Sequence, residues 1–309
     1  MKGDRMADAR PILLIDGNNV FMQMWHAFHA TTNAGKSAGG IVGFLTAISR
    51  YSEEMMPKRV YVTWEHGGSA FRQNIFPEYK QNRKKHPEDV MRDRTEQLLC
   101  LIKILKHTPV CQLYVSRCEG DDIIAHACHR FHDSEKIIIS TDKDYYQLID
   151  ERTKIFAPIQ KVYVNEGRVR ERYNMVPQNF AIFKALCGDG SDNIPGVRGI
   201  GEKTMLKLFP VMSERKLTLS EVYDICTENS EKHRLYRKII QEFDSVKKYW
   251  SIIQLGSSIL TDEQIDRVNN IIDQHEQKIN HQELMKTMIQ EGLSFNHERL
   301  FETMINLCA

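Results

Sequence analysis

The chain has 309 residues, enough for one large domain or two modest ones, and it can bury a sizeable core without disulfides or metals as staples. Hydrophobic residues make up 41% and charged residues 27%, which excludes wholesale disorder and collagen-like structure. Lys and Arg number 42 and Asp and Glu 41, a net charge of +1 that taken alone counts against a nucleic-acid partner. No apolar run approaches the length of a membrane span, and the polar segment from Met1 to Arg10 lacks the apolar core of a signal peptide. The seven cysteines are odd in number and contain no C-x-x-C pair. They predict reduced thiols in a cytoplasmic protein, several of them buried.

In chain order, residues 11–15 form an apolar strand that opens into a loop at Asp16-Gly17-Asn18-Asn19. Residues 42–51 carry apolar positions at helical spacing. A second strand covers 60–64 and runs into Glu65-His66. Helical spacing returns over 95–105, followed by a strand at 112–115 with Glu119 close behind it. A helix over 121–131 and a strand over 136–140, ending on Thr141-Asp142-Lys143-Asp144, complete the alternation. Strands alternating with helices predict an α/β fold with a mostly parallel sheet and flanking helices. Beyond residue 165 the strand signal fades. Helices are predicted over 177–187 and from 202, with a glycine-rich loop over 188–201 between them, and the remainder is helical and charged. The division expected is 11–165 for the sheet domain and 166–309 for the helical region.

Working groups of parallel sheets collect at the carboxyl ends of the strands. Nine acids fall at strand ends, helix starts or the glycine-rich loop: Asp16, Glu65, Glu119, Asp121, Asp122, Asp142, Asp144, Asp189 and Asp192. One such acid is ordinarily a turn former or helix cap, but their repetition at successive strand ends points to a shared site. Bare carboxylates gathered at one edge repel each other, and nearby lysines are too few to offset them, so divalent cations are the expected compensation. The oxygen donors select two Mg²⁺ or Mn²⁺ over zinc. Two such ions suit hydrolysis of a phosphodiester. His126, Cys128, His129 and His132 offer a zinc reading, but a solvated helix face beside a core cysteine explains them better. Met22, Met24 and Trp25 read as core.

Five motifs occur in order: Ile15-Asp16-Gly17-Asn18-Asn19, Pro77-Glu78-Tyr79-Lys80-Gln81-Asn82-Arg83, Glu119-Gly120-Asp121-Asp122, Ser140-Thr141-Asp142-Lys143-Asp144, and the run from Gly188 to Thr204. With them the chain resembles, over about residues 11–210, the structure-specific 5′-nucleases. These include the flap endonucleases, the 5′–3′ exonuclease domain of bacterial DNA polymerase I and free-standing bacteriophage 5′-exonucleases, some called RNase H. The resemblance implies a PIN-like catalytic domain followed by a helix-turn-helix-like DNA clamp and a helical C-terminal region. It implies that Asp16, Glu65, Glu119, Asp121 and Asp122 surround one metal and Asp142, Asp144, Asp189 and Asp192 the second. Glu65 departs from the usual Asp and is one methylene longer.

The resemblance further implies that Lys80 reaches the scissile phosphate, with Arg83 supporting its charge. Tyr79 would stack on a base. An arch over about residues 70–106, basic through Arg72, Lys80, Arg83, Lys84, Lys85, Arg92 and Arg94, would guide single-stranded 5′ ends. Arg198, Gly199, Ile200, Gly201 and Lys203 would hold duplex phosphates without reading sequence, beside a K⁺. The expected partners are DNA with a 5′ flap or nick, or an RNA–DNA hybrid, with a replication clamp or single-strand-binding protein as a further partner. The expected state is a monomer in the cytoplasm of a bacterium or phage-infected host. No polymerase region follows, and the free-standing form suggests a phage replication protein. The alternatives are a non-catalytic DNA-binding relative, which should have lost several acids, and a toxin-type metal-dependent RNase, which should lack arch and clamp.

Overall fold

The computed structural model describes residues 10–65, 67–83, 86–256, 259–293 and 297–308. They form a six-stranded sheet in the order β3-β2-β1-β4-β5-β6. The strands are β1 (Ile12–Asp16), β2 (Arg59–Trp64), β3 (Cys111–Tyr114), β4 (Lys136–Ile139), β5 (Thr153–Ala157) and β6 (Val162–Val164). The first five are mutually parallel, and β6 pairs antiparallel with β5. Ile12 lies opposite both Arg59 and Lys136, so the central three strands start level with one another. The chain builds outward from β1 to β2 and β3, then returns to place β4 on the other side of β1. Such a reversal opens a crevice at the carboxyl ends of the strands.

Side chains alternate between two cores, as the period of a strand requires. Ile12, Leu14, Leu113, Ile138 and Ile155 enter one core. Helices α5 (Gly120–Arg130), α7 (Phe180–Cys187), α8 (Glu202–Leu208) and α11 (Phe243–Ile253) help to fill it. Leu13, Ile15, Val60, Val62, Ile137 and Ile139 enter the other. That core is shared with α1 (Gly17–Ala27), α2 (Gly39–Met55), α4 (Glu88–Leu105), α13 (His281–Gln290) and α14 (His297–Cys308). The remaining helices are α3 (Ala70–Ile75), α6 (Glu166–Tyr173), α9 (Leu219–Glu228), α10 (Arg234–Gln241) and α12 (Asp262–Gln274). Helix α12 packs on β3, α13 on α4 and α14 on α2, so the last helices return to the sheet and its covering layer.

Two departures from expectation have local causes. The segment after β1 is helix from Gly17 onward, because the Asp16 side chain accepts the Asn19 amide and caps α1 directly. Strands β5 and β6 extend the sheet beyond the four expected. β5 is short and interrupted by the exposed Lys154, and β6 has only three residues, so neither carries a sustained apolar run. The described cysteines are all free thiols, most of them buried. His126 Nε2 lies 2.9 Å from Asn269 Oδ1 on α12, a structural contact and not a metal cluster.

Candidate active site

Four of the five parallel strands, β1 to β4, lead into carboxylates at the same edge. Asp16, at the end of β1, accepts from the Asn19 amide at 3.0 Å, from Tyr145 Oη at 3.0 Å and from Ser140 Oγ at 3.2 Å. Burial pushes its carboxyl up to about 6, despite these donors. Glu65 follows β2, its backbone amide tied to Asn18 Oδ1 at 2.8 Å. Burial, with Glu119 as a like charge, raises Glu65 above the usual carboxylate range. Glu119 caps α5 in a capping box with Asp122. Asp142 caps the 3₁₀ turn Lys143–Leu148 that carries Asp144. Asp189 and Asp192 come from the loop after α7, and with Asp144 they place one oxygen each within 4.8 Å of one another. The edge therefore gathers all nine acids.

Four cations are threaded through them. Arg72 on α3 is 1% exposed. It donates Nη1 and Nη2 to Asp122 at 2.6 and 2.8 Å, and Nε to the Ile252 carbonyl at 2.7 Å. Both Asp122 oxygens are engaged by this fork, so Asp122 is the buried counter-ion of Arg72 here, and not an open ligand of the cluster. Lys80 Nζ donates to Glu119 Oε2 at 2.6 Å. Burial opposes the charge on Glu119, but Arg72 and Lys80 hold its carboxyl below the usual range. Arg83 Nη2 donates to Asp192 Oδ1 at 3.0 Å. Lys184 on α7 pairs with both Asp144 and Asp189. Burial alone would lower the Lys184 ammonium, and these two carboxylates more than reverse it.

Compensation is incomplete. Burial still pushes Asp144 up to about 7 beside Lys184, and Asp121 well above its ordinary value. Asp121 Oδ1 is buried without a hydrogen-bond partner, its nearest cation being Arg72 Nη2 at 3.9 Å. An orphaned buried carboxylate oxygen, an all-oxygen donor set and carboxyls lifted by desolvation together fit hard divalent cations. The nearby Asp144–Asp189–Asp192 oxygens offer one place for such an ion.

The expected roles of Tyr79 and Arg72 change. Tyr79 does not present its ring for stacking: it is buried, and its hydroxyl lies 3.1 Å from Glu119 Oε2 and 3.2 Å from Asp192 Oδ2. Its place in the hydrophobic core and the need to satisfy a buried hydroxyl turn it inward. Ile200 buries its side chain in the core between exposed Gly199 and Gly201, so only its backbone could take part in the turn's contacts. Lys84, Lys85 and His66 lie outside the described residues. Arg72, counted with the arch cations, is interior instead.

The glycine turn is built by close backbone packing. Gly196 has φ 64°, and a Cβ there would stand 2.3 Å from the Gly188 amide nitrogen. The turn leaves Arg198 and Lys203 exposed on one surface with Gly199 and Gly201. An open groove of 980 Å³ continues from Arg198 and Gly199 past Lys207 to His233, Arg234 and Lys238. Lys238 Nζ donates to the Arg198 carbonyl at 2.6 Å, tying α10 to the turn.

Sequence reasoning missed Lys184, Tyr145 and the α10 cations. Lys184 did carry a signal: it is the lone charge in Phe-Ala-Ile-Phe-Lys-Ala-Leu-Cys, and such a lysine is buried only if paired. Arg234 and Lys238 lie in no motif, and only the fold brings them beside the turn.

The family model described as the 5′-3′ exonuclease N-terminal resolvase-like domain matches residues 11–174. The model described as the 5′-3′ exonuclease C-terminal SAM fold matches 175–275. The chain belongs to the 5′-3′ exonuclease family. Its relatives include a 5′-3′ exonuclease of Buchnera aphidicola, 34% identical over 203 residues that make up 64% of this chain and 70% of that protein. A thermostable DNA polymerase I of Thermus aquaticus is 28% identical over 80% of this chain, which spans only 29% of that polymerase. Among solved structures, the bacteriophage T5 D15 protein co-crystallised with metal ions superposes with a TM-score of 0.72 at 20% identity. That match covers 86% of this chain and 100% of that one. The catalytic core of Rad2 in complex with DNA substrate gives a TM-score of 0.53 at 14% identity, over 97% of this chain and 93% of that one. At these identities the two structures establish the shared fold. Residues 276–308 of this exonuclease, which include α13 and α14, lie beyond both family models. No helix of the described residues is long and apolar enough to cross a membrane.

Proposed function

We propose that the chain is a divalent-metal-dependent, structure-specific 5′-nuclease that hydrolyses phosphodiesters at branched or nicked DNA. The observation that carries the reading is the edge of nine acids with Lys80 and Arg83 in direct contact with two of them. Asp16, Glu65, Glu119 and Asp121 would hold one cation, and Asp142, Asp144, Asp189 and Asp192 the other, with Mg²⁺ or Mn²⁺ the ions that suit these donors. When bound, the cations supply neutralising charge and water activation for phosphodiester hydrolysis.

The remaining work falls to the chain's own groups. Arg72 pairs with Asp122 and pins α3 against α5, which fixes the start of the segment carrying Tyr79 and Lys80. The Tyr79 hydroxyl bridges Glu119 and Asp192, aligning acids from separate elements. Lys80 sits at φ 58°, a left-handed conformation stabilised by its amide donating to the Asp192 carbonyl at 3.1 Å. Its ammonium and the half-exposed Arg83 guanidinium are then placed to exchange a carboxylate partner for an incoming phosphate, offsetting charge that builds in the transition state. Arg198, Gly199, Gly201 and Lys203, with the α10 cations, would hold duplex backbone, and the resemblance places a K⁺ at this turn. The +1 total is the sum of an acidic edge and separate basic surfaces, so it is compatible with DNA.

The test compares a 5′-flap duplex, a nicked duplex and an RNA–DNA hybrid, each with Mg²⁺ and with EDTA. The reading expects cleavage of the flap or nicked substrate with Mg²⁺ only. Cleavage undiminished in EDTA, or none on any DNA, overturns it.

A further inference from the structure

Asn18 and Asn19 follow the Asp16 cap in the first turn of α1, and each reaches the chain leaving one of the two strands that flank β1. Asn18 Oδ1 accepts the Glu65 amide at 2.8 Å, just past the end of β2. Asn19 Oδ1 accepts the Thr141 amide and the Thr141 hydroxyl, each at 3.1 Å, in the loop after β4. Gln23, one turn along α1, donates Nε2 to Asn19 Oδ1 and to Thr141 Oγ1, the latter at 3.2 Å. The Asn19 backbone amide donates to Asp16 Oδ1 at 3.0 Å. One turn of helix is therefore bonded to the chain at the ends of β1, β2 and β4.

Both contacts bear directly on acids of the edge. Glu65 is bonded through its own amide, so Asn18 sets the point from which that side chain departs. Thr141 immediately precedes Asp142, whose amide donates to Ser140 Oγ at 3.1 Å. The same Ser140 hydroxyl donates to Asp16 Oδ2 at 3.2 Å. The loop carrying Asp142 is thus held to α1 through Asn19 and to the end of β1 through Ser140. Gly17 brings α1 within reach. A Cβ there would lie 2.5 Å from the Thr63 carbonyl oxygen and 2.6 Å from the Trp64 ring, so glycine lets the helix start this close to the end of β2.

We propose that Asn18 and Asn19 are positioning residues: from the first turn of α1 they hold the loops after β2 and β4 to the end of β1, so that Glu65 and Asp142 meet the cations from fixed places beside Asp16. This rests on the nuclease reading for its metal test and on the contacts alone for its exchange test. Hydrogen exchange, read by NMR, should speed up about tenfold at the Glu65 amide in Asn18→Ala and at the Thr141 amide in Asn19→Ala. Each amide should stay within about twofold of the parent in the other variant. Asn18→Asp and Asn19→Asp keep the accepting oxygen, so both amides should stay protected in them. Groups that orient metal ligands from behind cost about 10–100-fold in metal affinity when removed. Mn²⁺ titration of the free chain, followed by electron paramagnetic resonance, should therefore show binding at least about tenfold weaker in each alanine variant. Alanine suits a helix interior and the Asp16 cap remains, so both variants should fold as the parent does by circular dichroism.

Unchanged exchange at Glu65 in Asn18→Ala, or at Thr141 in Asn19→Ala, overturns the proposal. Equal acceleration of both amides in either variant also overturns it, because the effect is then a general loosening of α1. Exchange as fast in the aspartate variants as in the alanine variants does the same, since the acceptor then does not matter. Mn²⁺ binding at parent affinity in both alanine variants overturns the link to the cations. If the parent chain itself binds no Mn²⁺, the nuclease reading falls, and the exchange measurement still decides whether the two asparagines hold the strand ends.

Discussion

Replacing Arg72 with Gln isolates the largest buried electrostatic element of the site. The side chain is 1% exposed and makes three hydrogen bonds, two of them to the buried Asp122 carboxylate. Glutamine cannot reproduce the fork, so Asp122 is left as a buried charge without a counter-ion, keeping only the Glu119 amide as donor, and the Ile252 carbonyl loses its donor. Breaking a buried pair from one side costs about 3–5 kcal/mol. At 309 residues each kcal/mol moves Tm by about 1.5 °C, so the expected fall is about 5–8 °C. Thermal and urea unfolding in EDTA at neutral pH measure it. Arg72→Met with Asp122→Leu should recover much of the loss, because apolar residues then replace both charges. A cost for Arg72→Gln below about 1 kcal/mol would refute the pairing as a structural element. Should Asp122→Asn remain as stable as the parent but bind one cation fewer, Asp122 serves the metal and its assignment as a counter-ion is wrong.

Two more outcomes follow from the charges. Burial raises Asp16 to about 6 and Asp144 to about 7 from 3.8, so in the metal-free fold these groups keep protons that the unfolded chain releases. Their contribution to stability is complete below pH 3.8 and is lost as pH rises through about 6 and about 7; for Asp16 it amounts to about 3 kcal/mol. In EDTA, Tm should therefore fall between about pH 4 and pH 7, and Mg²⁺ should raise Tm most at the alkaline end; a flat EDTA profile contradicts the burial of these carboxyls. Lys203→Ala should weaken duplex binding about equally for all sequences and reduce the salt slope by about 1, and a sequence-dependent loss would rule out a backbone clamp.

Much of this architecture is legible in the residues because parallel strands buried on both faces read as short continuous apolar runs. Residues 11–15 and 136–140 show such runs, and each ends on acids that the fold brings to one edge. What escapes is long-range pairing. Arg72 and Asp122 are 50 residues apart, and nothing local distinguishes a buried arginine fork from an arch cation. Lys184 meets Asp144 across 40 residues. Tyr79 has the composition of a stacking platform, yet its ring is buried and its hydroxyl lies between Glu119 and Asp192. Helix α1 was hidden because Gly17-Asn18-Asn19 has the residues of a turn, while the cap that makes it helical is the site's own Asp16.

The central claim is that the acidic edge performs metal-dependent hydrolysis. Asp142 tests it most directly, because it is exposed and an asparagine there can still accept the Asp144 amide that its Oδ1 now holds at 2.9 Å. Asp142→Asn should fold as the parent does and bind a 5′-flap duplex in Ca²⁺ with similar affinity, while its single-turnover cleavage rate in Mg²⁺ falls at least about a hundredfold, the scale of losing one charge-stabilising group. Cleavage at the parent rate by a folded, DNA-bound Asp142→Asn would contradict the account.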